Sequence, residues 1–397
     1  MHLPHPAIPG APAARIHWLE HGEEQSARWR SESGMPAPKK VVLADDRMSA
    51  DMAYRLACEG TALLWRGDFQ NARQMLQALA RRADHKGAKG GKRGKSARVP
   101  ASPAEAFHLR RQAQAQRART LAMLLISFDA DYRIALRRAP DVAQACREAY
   151  GATDAPFVAS LRELLGVIGA HEWRKKGVEI AALGAPDHPA RIHPYYGVFS
   201  PIRGEYLELV AQAPLPRDCA LAFDIGTGTG VLAALLAKRG VARIVATDMD
   251  ARALACAQDN LERLGYADRV EVRQADLFPP GRAALVVCNP PWLPGRPSAS
   301  VEAAVYDPDS RMLKGFLAKA GEHLAPGGQA WLILSDFAEH LGLRTRAELL
   351  DWIDAGQLRV LERHDIRPVH PRASDPTDPL HAARSQEVTS LWRLAAK

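Results

Sequence analysis

The sequence predicts an α/β protein, a doubly wound parallel sheet preceded by an all-helical accessory domain. Three observations carry that expectation. From about residue 195 onward, short apolar runs alternate with helical patterns, as in a parallel sheet covered on both faces. A glycine trio in "DIGTGTG" closes the first of those runs. Before about residue 185, apolar residues recur mainly at helical spacing. A length of 397 residues is also long for one domain.

Residues 1–35 are expected to be poorly ordered. They open without a basic stretch leading into an apolar core, so no secretory signal is read there. From Ser49 to Arg82 two helices are expected, interrupted near "WRGDF". The segment "KGAKGGKRGKSAR", Lys86 to Arg98, holds six basic residues and no acid. It is too polar to bury a core, so a disordered basic loop is expected over 84–101. Ser102, Pro103 and Glu105 then mark the start of a long helix. "PDVAQACREAY" and "APFVASLRELLGVIG" suggest shorter ones. The division expected is therefore a helical domain over 36–185 and an α/β domain over 190–397. In the second, "LRVLERHDI" and "EVTSLWRLAA" follow one another without a clear helix, which predicts an antiparallel pair at a sheet edge.

Composition narrows the function classes. With 47% apolar and 25% charged residues the chain reads as an ordinary globular protein. No run approaches the roughly 18 apolar residues that a membrane span needs. The five cysteines contain no CxxC pair and suggest reduced thiols in the cytoplasm, without a metal site. Charge is unevenly placed. Residues 1–190 carry 29 Lys/Arg against 20 Asp/Glu, whereas residues 191–397 carry 24 against 25. The loop at Lys86–Arg98 is either a solvated insertion or a polyanion-binding arm making weak, salt-dependent contact with RNA.

In a doubly wound sheet, ligands bind at the carboxyl ends of the strands. Gly226, Gly228 and Gly230 let the backbone turn tightly and approach a ligand. The helix that follows aims its N-terminal N–H groups at that ligand. Asp224, two residues before the trio, suits a ligand carrying an ammonium group. Asp248 ends the second strand, where a carboxylate accepts ribose hydroxyls. Asp276 ends the third, placed to accept from an adenine amino group. Ammonium, ribose and adenine together describe S-adenosylmethionine.

The ordered set "DIGTGTG", "ATDMD", "QADLF" and "NPPW" resembles the class I S-adenosylmethionine-dependent methyltransferases over roughly 195–397. The resemblance implies a Rossmann-like, seven-stranded sheet whose last strand is antiparallel. It also implies Thr227, Met249, Leu277 and Asn289 as further cofactor-binding residues. "NPPW" resembles the (D/N/S)-PP-(Y/F/W) motif of enzymes that methylate a planar nitrogen. On that reading Asn289 and the Pro290 carbonyl accept the nitrogen's two hydrogens, and Trp292 stacks on the flat group. With "YDPDSRMLKGF" and the "SPIRGEYLELV" segment, the resemblance narrows to HemK-like glutamine methyltransferases. Trp292 in place of their usual Tyr, the longer first half and the long tail depart from that group. The acceptor expected is therefore a protein glutamine or an RNA or DNA amine. A non-catalytic S-adenosylmethionine-binding protein acting through the helical domain is the alternative, and the intact Asn289 and Trp292 weigh against it. The 366–384 loop reads as a substrate-facing flap, with His364, His370 and His381 as surface residues.

Overall fold

A computed structural model of the chain describes residues 14–89, 100–185, 187–202, 204–297, 302, 304–369, 375–376 and 378–397. The chain divides into two compact units, Met1–Pro100 with His108–Glu172, and Ala101–Phe107 with Trp173–Lys397.

The first unit is not all-helical. It holds strands β1 (Arg15–Glu20), β2 (Glu23–Trp29), β3 (Lys40–Ala44), β4 (Thr61–Trp65), β5 (Leu124–Phe128) and β6 (Phe157–Ser160). They form one mixed sheet in the order β1-β2-β6-β5-β4-β3. Helices α1 (Ala50–Cys58), α2 (Phe69–Lys89), α3 (Pro103–Leu121), α4 (Ala143–Tyr150) and α5 (Leu161–Lys176) connect and follow the strands. The reason the strands escape a periodicity reading is burial. All five residues of β4 are buried, as are four of the five in β5. A strand covered on both faces loses its two-residue alternation and merges with a neighbouring helix pattern. β6 passes into α5 with no intervening residue.

Residues 15–29, expected to be poorly ordered, form the β1–β2 pair. The alternating burial of Ile16 and Trp18 pins its register. The basic segment lies mostly outside the described residues, although α2 extends through Lys89 where a loop was expected. The expected cap is present at α3, where the Glu105 N–H donates to Ser102 Oγ at 3.1 Å.

The second unit opens with a short antiparallel pair, β7 (Val178–Glu179) and β8 (Arg191–Ile192), and helix α6 (Glu205–Gln212). There follow β9 (Leu221–Ile225), α7 (Val231–Lys238), β10 (Arg243–Asp248), α8 (Ala251–Arg263), β11 (Val270–Gln274), β12 (Ala283–Cys288), α9 (Arg311–Lys319) and β13 (Leu324–Ser335). The chain closes with α10 (Phe337–His340), α11 (Arg346–Ala355), β14 (Leu358–Ile366), α12 (His381–Arg384) and β15 (Thr389–Ala396). The seven strands are ordered β11-β10-β9-β12-β13-β15-β14. β11 through β13 run parallel, and β15 runs antiparallel to both neighbours. Alternate residues feed separate cores on the two faces, Ala222 into one and Phe223 and Ile225 into the other. No helix among the described residues is long and apolar enough to cross a membrane.

Leu64 is fully buried in β4 and packs with Leu125 and Val158 across the first sheet. Leu64→Ala is expected to cost about 2–5 kcal/mol through the cavity it leaves. Urea denaturation, followed by proteolytic susceptibility within residues 14–172, measures it.

Candidate functional site

The register of the second sheet sets the site. Ile225 in the central strand β9 pairs with Thr247 of β10 on one side and Cys288 of β12 on the other. Gly226 and Asn289, the residues just past β9 and β12, therefore lie level with Asp248, the last residue of β10. Gly226, Gly228 and Gly230 have φ of +73°, +56° and +80°, a region that favours glycine. The Gly226 and Thr227 N–H groups both donate to the Thr247 carbonyl, at 2.9 and 2.8 Å. A Cβ at Gly226 would meet the terminal methyl of Met312, which would have to swing aside, so the positive φ is the stronger demand for glycine there.

Asp224 is fully buried on the α7 face of the sheet. Its Oδ2 accepts from Thr227 Oγ1 at 2.7 Å and from the Ala233 N–H at 3.1 Å, while its Oδ1 has no hydrogen-bond partner among the described residues. Burial pushes its pKa up to about 6 against these hydrogen bonds, helped by the nearby Asp248. Asp248 accepts from the Gly228 N–H through Oδ2 and the Asp250 N–H through Oδ1, each at 3.0 Å. Its pKa is also raised, chiefly by burial. Met249, beside it, is 49% exposed and so is no core residue.

Asp276 and Leu277 form the third edge. Leu277 has φ +73°, and its carbonyl accepts from Thr247 Oγ1 at 2.6 Å. Thr247 thus holds the glycine loop with its carbonyl and the Leu277 turn with its hydroxyl. The Asp276 carboxylate is exposed and paired with Arg311 at 3.0 Å.

Asn289 is half-buried and Pro290 buried at the end of β12. Trp292 Nε1 donates to Asn289 Oδ1 at 2.8 Å. The indole is partly buried against the cores on both faces of the sheet. The chain beyond it is held by Leu293, whose N–H donates to Val305 O at 3.1 Å and whose carbonyl accepts from the Asp307 N–H at 2.8 Å. Asp307 is buried, and its carboxylate accepts from the Met312 and Leu313 N–H groups at the start of α9. Asp309 and Ser310 between them have φ of +57° and +54°. Sequence reasoning missed Asp307, Arg311 and Met312 as site residues. The signal was the "YDPDSRM" stretch, noted only for its resemblance.

The described part of the tail reaches the same region. Leu380 and Ala383 join a cluster with Leu293 and Phe337, and Arg384 pairs with the buried Asp378 at 3.0 Å. His364 faces Glu362 at 3.3 Å and His381 opens α12, whereas His370 lies outside the described residues.

Residues 209–346 match the family described as Methyltransferase small domain. A tRNA1(Val) (adenine(37)-N6)-methyltransferase of Parabacteroides distasonis is 31% identical over 193 residues, 44% of this chain and 81% of that protein. A release factor glutamine methyltransferase of Cereibacter sphaeroides is 40% identical over 124 residues, 30% of this chain and 41% of that protein. A ribosomal protein L11 methyltransferase of Pelotomaculum thermopropionicum is 45% identical over 75 residues, 18% of this chain and 24% of that protein. The chain thus spans less than half the length of the last two. It belongs to the small-domain family of S-adenosylmethionine-dependent methyltransferases.

The raised pKa of Asp224 has a consequence for stability. Below its ordinary value of 3.8 the group is protonated in folded and unfolded chains alike. As pH rises toward about 6, the unfolded chain gives up the proton while the folded one keeps it, so stability falls and then levels off. Asp224→Asn removes this loss. Relative to that variant, the wild type is expected to lose up to about 3 kcal/mol between pH 4 and pH 7, read from denaturation midpoints.

Proposed function

We propose that this protein is an S-adenosylmethionine-dependent N-methyltransferase whose acceptor is an exocyclic amine of a base in RNA. The observation that carries the reading is Asn289, set by the sheet register at the level of Gly226 and Asp248. The residues present suit the cofactor: tight-turning glycines, carboxylates at two strand ends and the exposed apolar Met249. Asp248 would hold the ribose, Met249 and Leu277 would flank the adenine, and Gly226 to Gly230 with Thr227 and Asp224 would shape the methionine end. Asp276 would face the adenine amino group once Arg311 releases it. The cofactor supplies an electrophilic methyl group.

An exocyclic amine is a poor nucleophile because its lone pair is delocalised into the ring. Asn289 Oδ1 and the Pro290 carbonyl are dipoles fixed in advance, and they accept the amine's hydrogens as positive charge develops on nitrogen. The nitrogen then pyramidalises with its lone pair toward the methyl group. In-line placement of the two reactants supplies much of the remaining rate. A nucleobase is favoured over a glutamine amide on two grounds. The relative matched over four-fifths of its length is named for an adenine in tRNA. The first half of the chain carries the basic surplus, 29 Lys/Arg against 20 Asp/Glu over residues 1–190, which suits a polyanionic substrate. Weak RNA contact through Lys86–Arg98 belongs to the same proposal.

Two outcomes are expected. Asp248→Ala should weaken S-adenosylmethionine binding by about 2–4 kcal/mol, roughly 30- to 1000-fold by calorimetry, and unchanged affinity would refute the assignment. Asn289→Ala should leave that affinity within a few-fold while methyl transfer to total RNA falls about 100-fold or more. Label arriving in protein instead, with RNA unlabelled, would move the acceptor to glutamine.

A further inference from the structure

Beside the stacking expected of it, Trp292 donates a hydrogen bond to Asn289. We propose that Trp292 is a positioning residue whose indole N–H fixes which way the Asn289 amide faces. The proposal rests on the reading of Asn289 as the polarising residue. The backbone between the two is stiff, since Pro290 and Pro291 each fix φ near −65°. The residue before a proline is likewise held extended. The soft coordinate left is the terminal torsion of the asparagine side chain, which is broad and roughly two-fold. Turning it by half a revolution exchanges an acceptor oxygen for an NH₂ donor. A donor aimed at the amine's hydrogens repels them.

The indole removes that ambiguity. Its nitrogen donates one hydrogen and accepts none, so it bonds only to the amide oxygen. At 2.8 Å it does so, and the flipped amide would set N–H against N–H. The ring is itself seated against cores on both faces of the sheet, so its orientation is set before any acceptor arrives. A carbonyl oxygen has two lone pairs. Trp292 occupies one and leaves the other, in the amide plane, for the acceptor's N–H.

The test is the rate of single-turnover methyl transfer to total RNA by the full-length chain, using labelled S-adenosylmethionine. Trp292→Phe keeps an aromatic ring and removes the donor. It should slow transfer about 10-fold, the factor one neutral hydrogen bond supplies, with cofactor affinity unchanged. In an Asn289→Asp background both side-chain oxygens are equivalent and there is no flip to prevent, so Trp292→Phe should cost less than about two-fold. An equal loss in both backgrounds, no loss in either, or a faster rate would overturn the proposal. A readout independent of activity is the Trp292 indole N–H resonance, identified by its disappearance in Trp292→Phe. It should shift upfield in Asn289→Ala, and an unmoved resonance would also overturn the proposal. Undiminished transfer by Asn289→Ala would instead sink the underlying reading of Asn289, whatever Trp292 does.

Discussion

The buried carboxylate of Asp224 ties together the parts on which the site depends. It stands in the central strand and binds the hydroxyl of Thr227 in the glycine turn and the Ala233 N–H in the first turn of α7. Strand, turn and helix are thereby one unit. From the neighbouring strand, Asp248 binds the Gly228 N–H of the same turn. Burial and the nearby Asp248 raise the cost of ionising Asp224, and the Thr227 hydroxyl and Ala233 N–H offset part of it. The glycine turn is held by acids from both sides, and the positive φ values it requires are supplied by residues without a Cβ.

A second linkage runs through 305–312. Leu293 pairs with the backbone around Tyr306, Asp307 caps α9, Met312 lies over Gly226 and Arg311 reaches Asp276. The loop carrying Asn289 is therefore not a free excursion from β12. It is braced by a segment that also touches the glycine turn and the acid at the third strand. Consecutive left-handed residues at Asp309 and Ser310 are tolerated there because the carboxylate of Asp307 holds the helix start on their far side.

The second unit was legible because its signals are local. Most of its strands are short apolar runs ended by glycine, proline or an acid; β9 and β12 carry the chemistry on the residue just past the strand, and β10 on its last residue. The first unit was misread because β4 and β5 are buried on both faces and β6 runs straight into α5, leaving no alternation and no punctuation to separate strand from helix. The brace at 305–312 was illegible for a different reason. Its meaning lies in contacts with Leu293, Gly226 and Asp276, far away along the chain, and spacing does not encode such contacts. The indole bond to Asn289 lies within one tetrapeptide, yet proline stiffness alone does not say where the ring turns.

The position of β15 also bears on how the domain is made. It lies between β13 and β14, although it is the last strand of the sheet in chain order. While the chain is being synthesised, β13 has an open edge and β14 has no neighbour until residues 389–396 leave the ribosome. This unit therefore cannot complete its sheet progressively from its amino end. An edge that waits for its partner is a template for wrong pairing.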